Sequence, residues 1–591
     1  MRFLPDQVKA EPVVPLYDEK SHSQTEKEVG VLNTDEVHHS DTDSEKIDPT
    51  FQRGVQKVEA TTQIWSTSHL IAAYVLIWII SFVDAMQQNM TGQLTPYVTS
   101  SFSRHSLTAT TSIMSSIIGG LWKLPLAKIL DIWGRPQGFA LMIFFLTIGQ
   151  VMMAGCNNVQ TYAAAQVFYW MGYNGTSYCI SIFVADTSAL KNRGFMFAFM
   201  GTPYIATVWI GGPLAQAFLD GPGFRWGFGV FSIITPIVTL PLLGLFVYNY
   251  RKAKASGLVP EVQNNRTFAE NVKFYFFEFD VIGILLLAAG LALFLLPFSL
   301  YSYQTKRWES PMIICMIVFG VVFLALFALY EKFLAPVTFI PFSLLTDRTV
   351  LGASCLGAVL FIEFYIWDSY FSSFLQAVNG LNITQTSYIV NIYSIGSCFW
   401  AVIVGTLIRW TGRYKNVALY FGLPLTMLGV GLMIAFRQPH VNIGYIIMCQ
   451  IFIAFSGGTL VICEQVAAMA VTSHQYIAVV LAIEGMFSSV GGAIGSTVAA
   501  AIWTGIFPEA LKRNLPAEAQ GDFASIYGSL AVQISYPRGD PVREAIMDAY
   551  GEAQKWMIVS ATAILILGIP CIVVWRNVQV KDFKQVKGNV V

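Results

Sequence analysis

Fourteen apolar runs of about 20 residues, separated by short polar stretches, make up most of the chain beyond residue 66. Their approximate limits are 68–90, 107–129, 137–156, 160–184, 194–217, 227–249, 279–300, 311–331, 349–375, 386–408, 416–436, 443–468, 475–503 and 556–576. As a helix, a run of that length crosses a hydrocarbon core of about 30 Å, where lipid offers no partner to an open backbone. The pattern predicts an all-α membrane protein with 14 transmembrane helices. Residues 1–66 behave oppositely. Asp, Glu, Ser and Thr dominate them, as in HSDTDSEKIDPT, with too few apolar positions to bury a core. They read as a disordered cytosolic tail whose Lys9, Lys20, Lys27 and Ser/Thr clusters suit trafficking or ubiquitination machinery.

An even number of spans puts both termini on one side. The loops on that side carry Lys128, Arg135, Lys191, Arg193, Arg251, Lys252, Arg409, Arg413 and Lys415, whereas the opposite loops hold only Arg104, Arg225, Lys306, Arg307 and Arg437. Basic loops stay in the cytosol, so both termini are expected there. The opening residues lack a continuous apolar core, so no cleaved signal peptide is expected and the first span serves as the targeting signal.

One inter-span motif recurs. LAKILDIWGR ends at Arg135, and GTLIRWTGR runs from Gly405 to Arg413. Asp131 precedes the Gly134–Arg135 pair in the first copy, and Arg409 holds the equivalent place before Gly412–Arg413 in the second. The glycines permit tight turns, and the arginines can reach carbonyls and carboxylates of neighbouring helix ends. Two copies in matching positions indicate two related halves, the parallel repeat of major facilitator transporters. The expected plan is a six-helix half at 67–250, a cytosolic linker with two additional spans at 251–348, a second six-helix half at 349–577 and a cytosolic tail at 578–591. The additional spans are expected to pack or face lipid rather than line the pathway.

Composition narrows the classes further. The chain is 54% hydrophobic and 12% charged, with zero net charge and a mean hydropathy of +0.55, which excludes a nucleic-acid partner and places the protein in a lipid bilayer. Its eight cysteines are scattered without a CxxC pair, so neither a disulfide framework nor a metal site is implied. No nucleophile and base pair or phosphate-binding loop points to an enzyme, and no cofactor is expected.

Ionisable and polar residues inside spans mark a pathway or a partner. Asp84, Gln87, Gln88 and Thr91 form one stripe at helical spacing on the first span, and Gln166, Tyr169, Trp170, Tyr173 and Ser177 form another on the fourth. On the ninth, Glu363, Trp367 and Tyr370 share a face beside Asp368, while Glu464 and Glu484 lie in the twelfth and thirteenth. A buried carboxylate can take and release a proton near neutral pH, which makes Asp84, Glu363, Asp368, Glu464 and Glu484 proton-coupling candidates. Gln87, Gln88, Tyr169, Trp170, Tyr173, Trp367 and Tyr370 could cradle a bulky polar solute through ring faces and hydrogen bonds. Ser488, Gly492 and Ser496, with Gly491 and Gly495, mark a close helix contact. Gly211-Gly212-Pro213 is a kink and hinge candidate that only partly matches the glycine-proline signature of drug and proton antiporters, since Ala215 and Gln216 replace glycines.

One outer segment, about 50 residues from Thr504 to Lys555, breaks the pattern of short loops. FPEALKRNLP, FASIYGSLAVQISYPRGDP and VREAIMDAYGEAQ read as short amphipathic helices around a Tyr-Pro turn, with Tyr527 and Tyr536 as substrate contacts and Arg538 and Arg543 as surface charges or partners for Asp540 and Glu544.

The IYGSLAVQISYPRGDPVREAIMDAYGEAQ stretch, FVDAMQQ at the end of the first span, the ADTSALKNRG loop and the span plan together resemble the fungal siderophore-iron transporters of the major facilitator superfamily, from about Ser66 onward. The resemblance implies uptake of ferric siderophores, hydroxamates foremost, by proton symport across the plasma membrane or an endosomal vesicle. Ala127 departs from the usual glycine opening the first motif. No His, Cys or carboxylate cluster suits bare iron, which fits a metal that arrives inside its chelator and is not bound by protein ligands. A drug/proton antiporter of the same superfamily and a non-transporting ferric-chelate receptor are the alternative readings.

Overall fold

The computed structural model describes residues 61, 64–101, 117–256, 267–301, 304–336, 342–472 and 476–582. The readings made for residues 1–60 and 583–591, Lys9, Lys20 and Lys27 among them, lie outside the described residues. Every regular element among those described is helical.

The first half comprises α1 (Thr67–Ser101), α2 (Lys123–Ile132), α3 (Arg135–Ala154), α4 (Val159–Thr187), α5 (Leu190–Gly201), α6 (Pro203–Asp220) and α7 (Phe224–Ala255). The additional hairpin consists of α8 (Phe268–Glu278), bent by 45° against α9 (Val281–Leu295), and α10 (Pro311–Phe333). The second half holds α11 (Arg348–Asp368), α12 (Phe371–Ala377), α13 (Ile383–Val390), α14 (Ile392–Thr411), α15 (Leu423–Phe436), α16 (Ile443–Ala470) and α17 (Ile477–Asn514). After the short α18 (Phe523–Gly528) and α19 (Leu530–Ser535) come α20 (Pro541–Ile564) and α21 (Gly568–Val573). Among the described residues eleven helical stretches are long and apolar enough to cross a membrane, or twelve if α8 and α9 count as one. Two expected spans are not among them. One is α4, which is 29 residues long but rich in Gln, Tyr and Asn; the other is the second span, described only from Ile117 onward.

Helix starts follow from local chemistry. Asn158 and Asp347 accept from backbone amides of the first turns of α4 and α11, and Thr267 with Glu270 and Asn382 with Gln385 form reciprocal capping boxes. The glycine stripe of α17 does what its spacing predicts. A Cβ at Gly491 would stand 2.4 Å from the Ala358 carbonyl oxygen and one at Gly495 2.5 Å from that of Ile362, so α11 and α17 touch backbone to backbone. The hairpin is the least buried part: Met312, Val318, Phe319 and Leu329 of α10 are exposed, as suits a lipid-facing surface. It is moored by the Tyr301 hydroxyl, 2.9 Å from Thr504 Oγ1, and by Lys128 Nζ, which donates to the Glu278 carbonyl at 2.6 Å.

Several expectations are corrected. The tail boundary falls earlier than residue 66, because Trp65 is buried against Phe183 and Phe246. FPEALKRN is not a separate helix: α17 runs 38 residues, about 57 Å, straight through Pro508 and past any hydrocarbon core. VREAIMDAYGEAQ likewise belongs to α20, so the irregular outer segment shrinks to residues 515–540. Gly211-Gly212-Pro213 lies within continuous α6, and the break in that span comes at Thr202. The two glycines instead admit neighbours, since Cβ atoms there would meet Asn89 at 2.6 Å and Ser387 at 3.0 Å. Arg543 is no surface charge: it is 3% exposed, and it donates to the carbonyls of Gln533 (2.6 Å), Tyr536 (3.3 Å) and Gln376 (3.1 Å). Arg538 donates to the Val378 carbonyl, Asp540 caps α20, and Glu544 pairs with His440.

Candidate functional site

Between the halves lies a cavity of about 1040 Å³, part of it open to solvent. Ser81 and Asp84 of α1, Tyr173 and Ser177 of α4 and Tyr204 of α6 line it from the first half; Tyr393 and Ser397 of α14 and Gln465 of α16 line it from the second. Its floor faces the end of the bundle where Trp65 and Val580 lie, here termed the tail end. A Cβ at Gly405 would sit 2.9 Å from Phe195 Cα and 3.0 Å from the Gly194 carbonyl, so α5 and α14 seal the cavity with bare backbone. Toward the opposite end, Trp209 of α6 packs on Tyr388 of α13 with centroids 5.1 Å apart.

The two polar stripes of the first half meet here. The Tyr173 and Tyr204 hydroxyls hydrogen-bond to each other, and Tyr204 donates on to Gln88 Oε1 at 2.7 Å. Tyr169 stacks on Tyr173 and meets Trp170 edge-on. Asp84 and Gln87 are buried, and Asp84 Oδ1 and both polar atoms of Gln87 have no hydrogen-bond partner within the protein among the described residues. A buried polar atom without a partner calls for an explanation, and on a cavity lining, as at Asp84, an incoming group can supply it. Gln166, by contrast, is already engaged, donating to the Tyr162 hydroxyl at 2.7 Å.

The acids of the second half scatter. Glu363 and Trp367 lie buried, with Trp367 6.4 Å from the Tyr393 ring. Asp368 faces the guanidinium of Arg437, which is itself buried, donates to the Trp367 carbonyl at 2.7 Å and stands 4.3 Å over the Phe371 ring. Glu464 and Glu484 face each other away from the cavity lining. Tyr370 turns to the loop end and stacks on Trp503 at 4.2 Å, in a pile continued by Phe507, Tyr527 and Phe523. Tyr527 and Tyr536 are half-buried in the segment that covers this end and do not line the cavity. Burial there pushes the Tyr527 hydroxyl above its usual pKa.

At the first motif, Gly134 has φ +118 and starts α3, and Arg135 pairs with Asp186 at 3.3 Å, joining the motif to the ADTSALKNRG loop. The Asp131 side chain lies outside the described residues. At the second motif, Gly412 has φ +70 and accepts from the Val580 amide at 3.1 Å, while Arg409 and Arg413 are exposed. Sequence reasoning missed Tyr204, Tyr393, Arg437 and Lys123. Tyr204, just after the Thr202-Pro203 break, had the clearest available signal. Among the described residues no group of three or more His, Cys, Asp or Glu could hold a metal ion.

Comparison with known proteins adds a lineage. The profile of the Major Facilitator Superfamily matches residues 77–496. "MFS siderochrome iron transporter 1" of Ajellomyces capsulatus is 68% identical over 540 residues, covering 91% of this chain and 92% of that protein. "Siderochrome iron transporter 2" of Aspergillus fumigatus is 46% identical over 528 residues, covering 89% and 87%. "Siderophore iron transporter mirB" of Emericella nidulans is 41% identical over 558 residues, covering 94% and 92%. Among solved structures, a bacterial homolog of the human lysosomal transporter Spinster, inward-facing and occupied, aligns with a TM-score of 0.52 at 13% identity over 86% of this chain and 97% of that one, a likeness of fold.

Proposed function

The chain belongs to the major facilitator superfamily and is no enzyme, and from that premise we propose that it takes up ferric siderophores of the hydroxamate type by proton symport with alternating access. Several relatives carry the name of siderophore or siderochrome iron transporters. The observation that carries the reading is the cavity's donor set. Among the described residues Asp84 is the one carboxylate on its lining, amid tyrosine and serine hydroxyls and aromatic faces. A bare ferric ion would demand several hard oxygen ligands, whereas a wrapped chelate offers carbonyl oxygens to hydroxyl donors and apolar linkers to rings.

In this reading Asp84, Gln87, Gln88, Tyr173 and Tyr204 receive the chelate from one side, Tyr393 faces it from the other, and iron stays bound to its own chelator. Alternating access follows by parting the Gly194–Gly405 floor while the loop end closes. Buried carboxylates carry the coupled proton, Asp84 being the one that shares the cavity with substrate. The protein works in the plasma membrane or an endosomal vesicle with both termini cytosolic. The test is uptake of iron-labelled ferrichrome and ferrioxamine B by a host lacking its own siderophore transporters. Concentrative uptake that a protonophore abolishes is expected; iron-free efflux of drugs, or surface binding without entry, would overturn the reading.

A further inference from the structure

At the tail end, where the halves meet beside the cavity floor, two glycines open space around a buried acid pair. A Cβ at Gly357 of α11 would stand 2.7 Å from Ser488 Oγ and 3.6 Å from both Glu464 oxygens, and one at Gly485 would stand 2.7 Å from Lys123 Nζ. Glu464 of α16 and Glu484 of α17 are 1% and 8% exposed and face each other within hydrogen-bonding reach; Glu464 Oε2 has no hydrogen-bond partner among the described residues. An ionised carboxylate only accepts, so a hydrogen bond between two carboxyl groups needs a proton on one of them. Two carboxyl groups so close disfavour double ionisation, so one shared proton and one negative charge is the arrangement the pair favours.

The balancing charge comes from the other half. Lys123, at the start of α2, reaches across to donate to the Gly485 carbonyl at 3.3 Å, and its ammonium faces the Glu484 carboxyl. Glu484 also meets Ser488 of its own helix, and Glu464 faces Tyr393 of α14 and neighbours Cys463. Gly120 lies hard against Ser489 one turn away, so this is a seam between the halves and not a crevice. Residue 465, next to Glu464, lines the substrate cavity.

We propose that Glu464, Glu484 and Lys123 form a proton-operated latch between the halves, closed while the acid pair shares a single proton and released when a second proton neutralises it. Parting α2 from α17 with one proton bound would take Lys123 from the Gly485 carbonyl and draw its ammonium away from the Glu484 carboxylate in a poorly solvated place. A second proton on the pair removes the negative charge, so Lys123 can swing to water at the tail end and the floor can open. Release of that proton into the compartment at the tail end restores the charge and re-forms the latch. The latch deepens the symport reading and rests on it; it gives the proton a mechanical task distinct from that of Asp84, which shares the substrate's cavity.

The experiment is counterflow and net uptake of iron-labelled ferrichrome in proteoliposomes as a function of pH. Parental counterflow should rise as pH falls. Glu484→Gln and Lys123→Gln each remove the cross-half attraction, so counterflow should stay fast and lose its pH dependence, while accumulation falls toward equality across the membrane. Glu464→Gln should act in the opposite direction: Glu484 loses its proton-sharing partner and remains ionised against Lys123, so the profile shifts to more acid pH. Lys123→Arg should restore the parental profile. A structural role alone predicts that all three lower the amount of folded protein, with one common pH profile. If Glu484→Gln fails to reach the membrane, Lys123→Gln and Glu464→Gln still carry the opposed shifts. Three variants with the parental profile in a proton-driven parent overturn the latch and leave the symport reading standing. A parent indifferent to pH and protonophore overturns both.

Discussion

The cavity between the halves and the cap over the loop end are made of the same residue types, yet they treat their polar atoms in opposite ways. In the cap, Arg543 donates to three carbonyls, Gln533 donates to the Ile526 carbonyl at 2.8 Å, and the Tyr550 hydroxyl donates to Gln533 Oε1 at 2.9 Å. Its rings stack in one pile from Tyr370 through Trp503 and Phe507 to Tyr527. On the cavity lining Asp84 Oδ1 is left without a hydrogen-bond partner among the described residues; the amides of Gln87 and Gln554 and Arg543 Nε are also unpartnered, but none of these lines the cavity. Satisfied buried groups hold structure, whereas unsatisfied ones beside open space await a ligand. The contrast teaches that tyrosine, glutamine and arginine in a membrane protein say little by type alone; where their hydrogen bonds go decides.

The largest effect should come from Asp84. A proton crossing about 100 mV supplies about 2.3 kcal/mol, about a fiftyfold accumulation. Asp84→Asn keeps the side chain's size and removes its titrating charge, so concentrative uptake should fall by about that factor while counterflow of the chelate survives. Accumulation and pH dependence equal to the parent would mean that the cavity's carboxylate does not couple, and would shift that role to Glu363, Asp368 or the acid pair.

Arg543→Met should produce the next largest change, but in stability. It leaves the Gln533, Tyr536 and Gln376 carbonyls without their charged donor, and bonds of that kind are worth about 1.5 to 3 kcal/mol each, not additively. A loss of about 3 kcal/mol should show as lower thermal stability and surface level, with the affinity of the surviving molecules unchanged. An affinity loss at parental stability would turn the cap into a binding surface and erase the contrast drawn above.

Much of this arrangement could be read along the chain, and the failures share a cause. Apolar run length located the eleven or twelve spans seen among the described residues, and of the stripe Asp84, Gln87 and Gln88 the structure places Asp84 on the cavity lining and Gln88 on Tyr204. The glycine stripe of α17 declared a close helix contact because small side chains at that spacing have few other uses. Lys123 was not legible, since it sits within an apolar run and its partners are more than 300 residues away. Arg543 was misread for a similar reason: its neighbours in sequence are acids, but its acceptors are carbonyls, which no sequence pattern displays. FPEALKRNLP reads as a separate short helix, yet α17 continues through Pro508 to Asn514.

A smaller effect is expected at Tyr204, which the spans' polar spacing did not single out. Its hydroxyl links Tyr173 to Gln88, so Tyr204→Phe breaks that chain while keeping the ring. Loss of one neutral hydrogen bond costs about 0.5 to 1.5 kcal/mol, an affinity change between about twofold and tenfold in uptake measurements. An unchanged half-saturation concentration would show that the Tyr173–Tyr204–Gln88 chain only braces α1, α4 and α6 against one another.

The smallest effect belongs to Tyr536, the residue that most directly sets the cap against the cavity. It lies half-buried beside the Pro537 turn, and the contact that ties it down is through its backbone, since its carbonyl accepts from Arg543 at 3.3 Å. Tyr536→Phe preserves that backbone bond and the ring, so if the cap is a scaffold, affinity for ferrichrome should move by less than about twofold, the range of a surface substitution outside any binding contact. Tyr527→Phe should behave alike, because its ring packs on Phe523 and Phe507. A several-fold loss of affinity in either variant at normal surface level would show that the chelate meets phenolic hydroxyls at the loop end before it reaches Tyr173 and Tyr204. Recognition would then be divided between the outer cap and the membrane cavity.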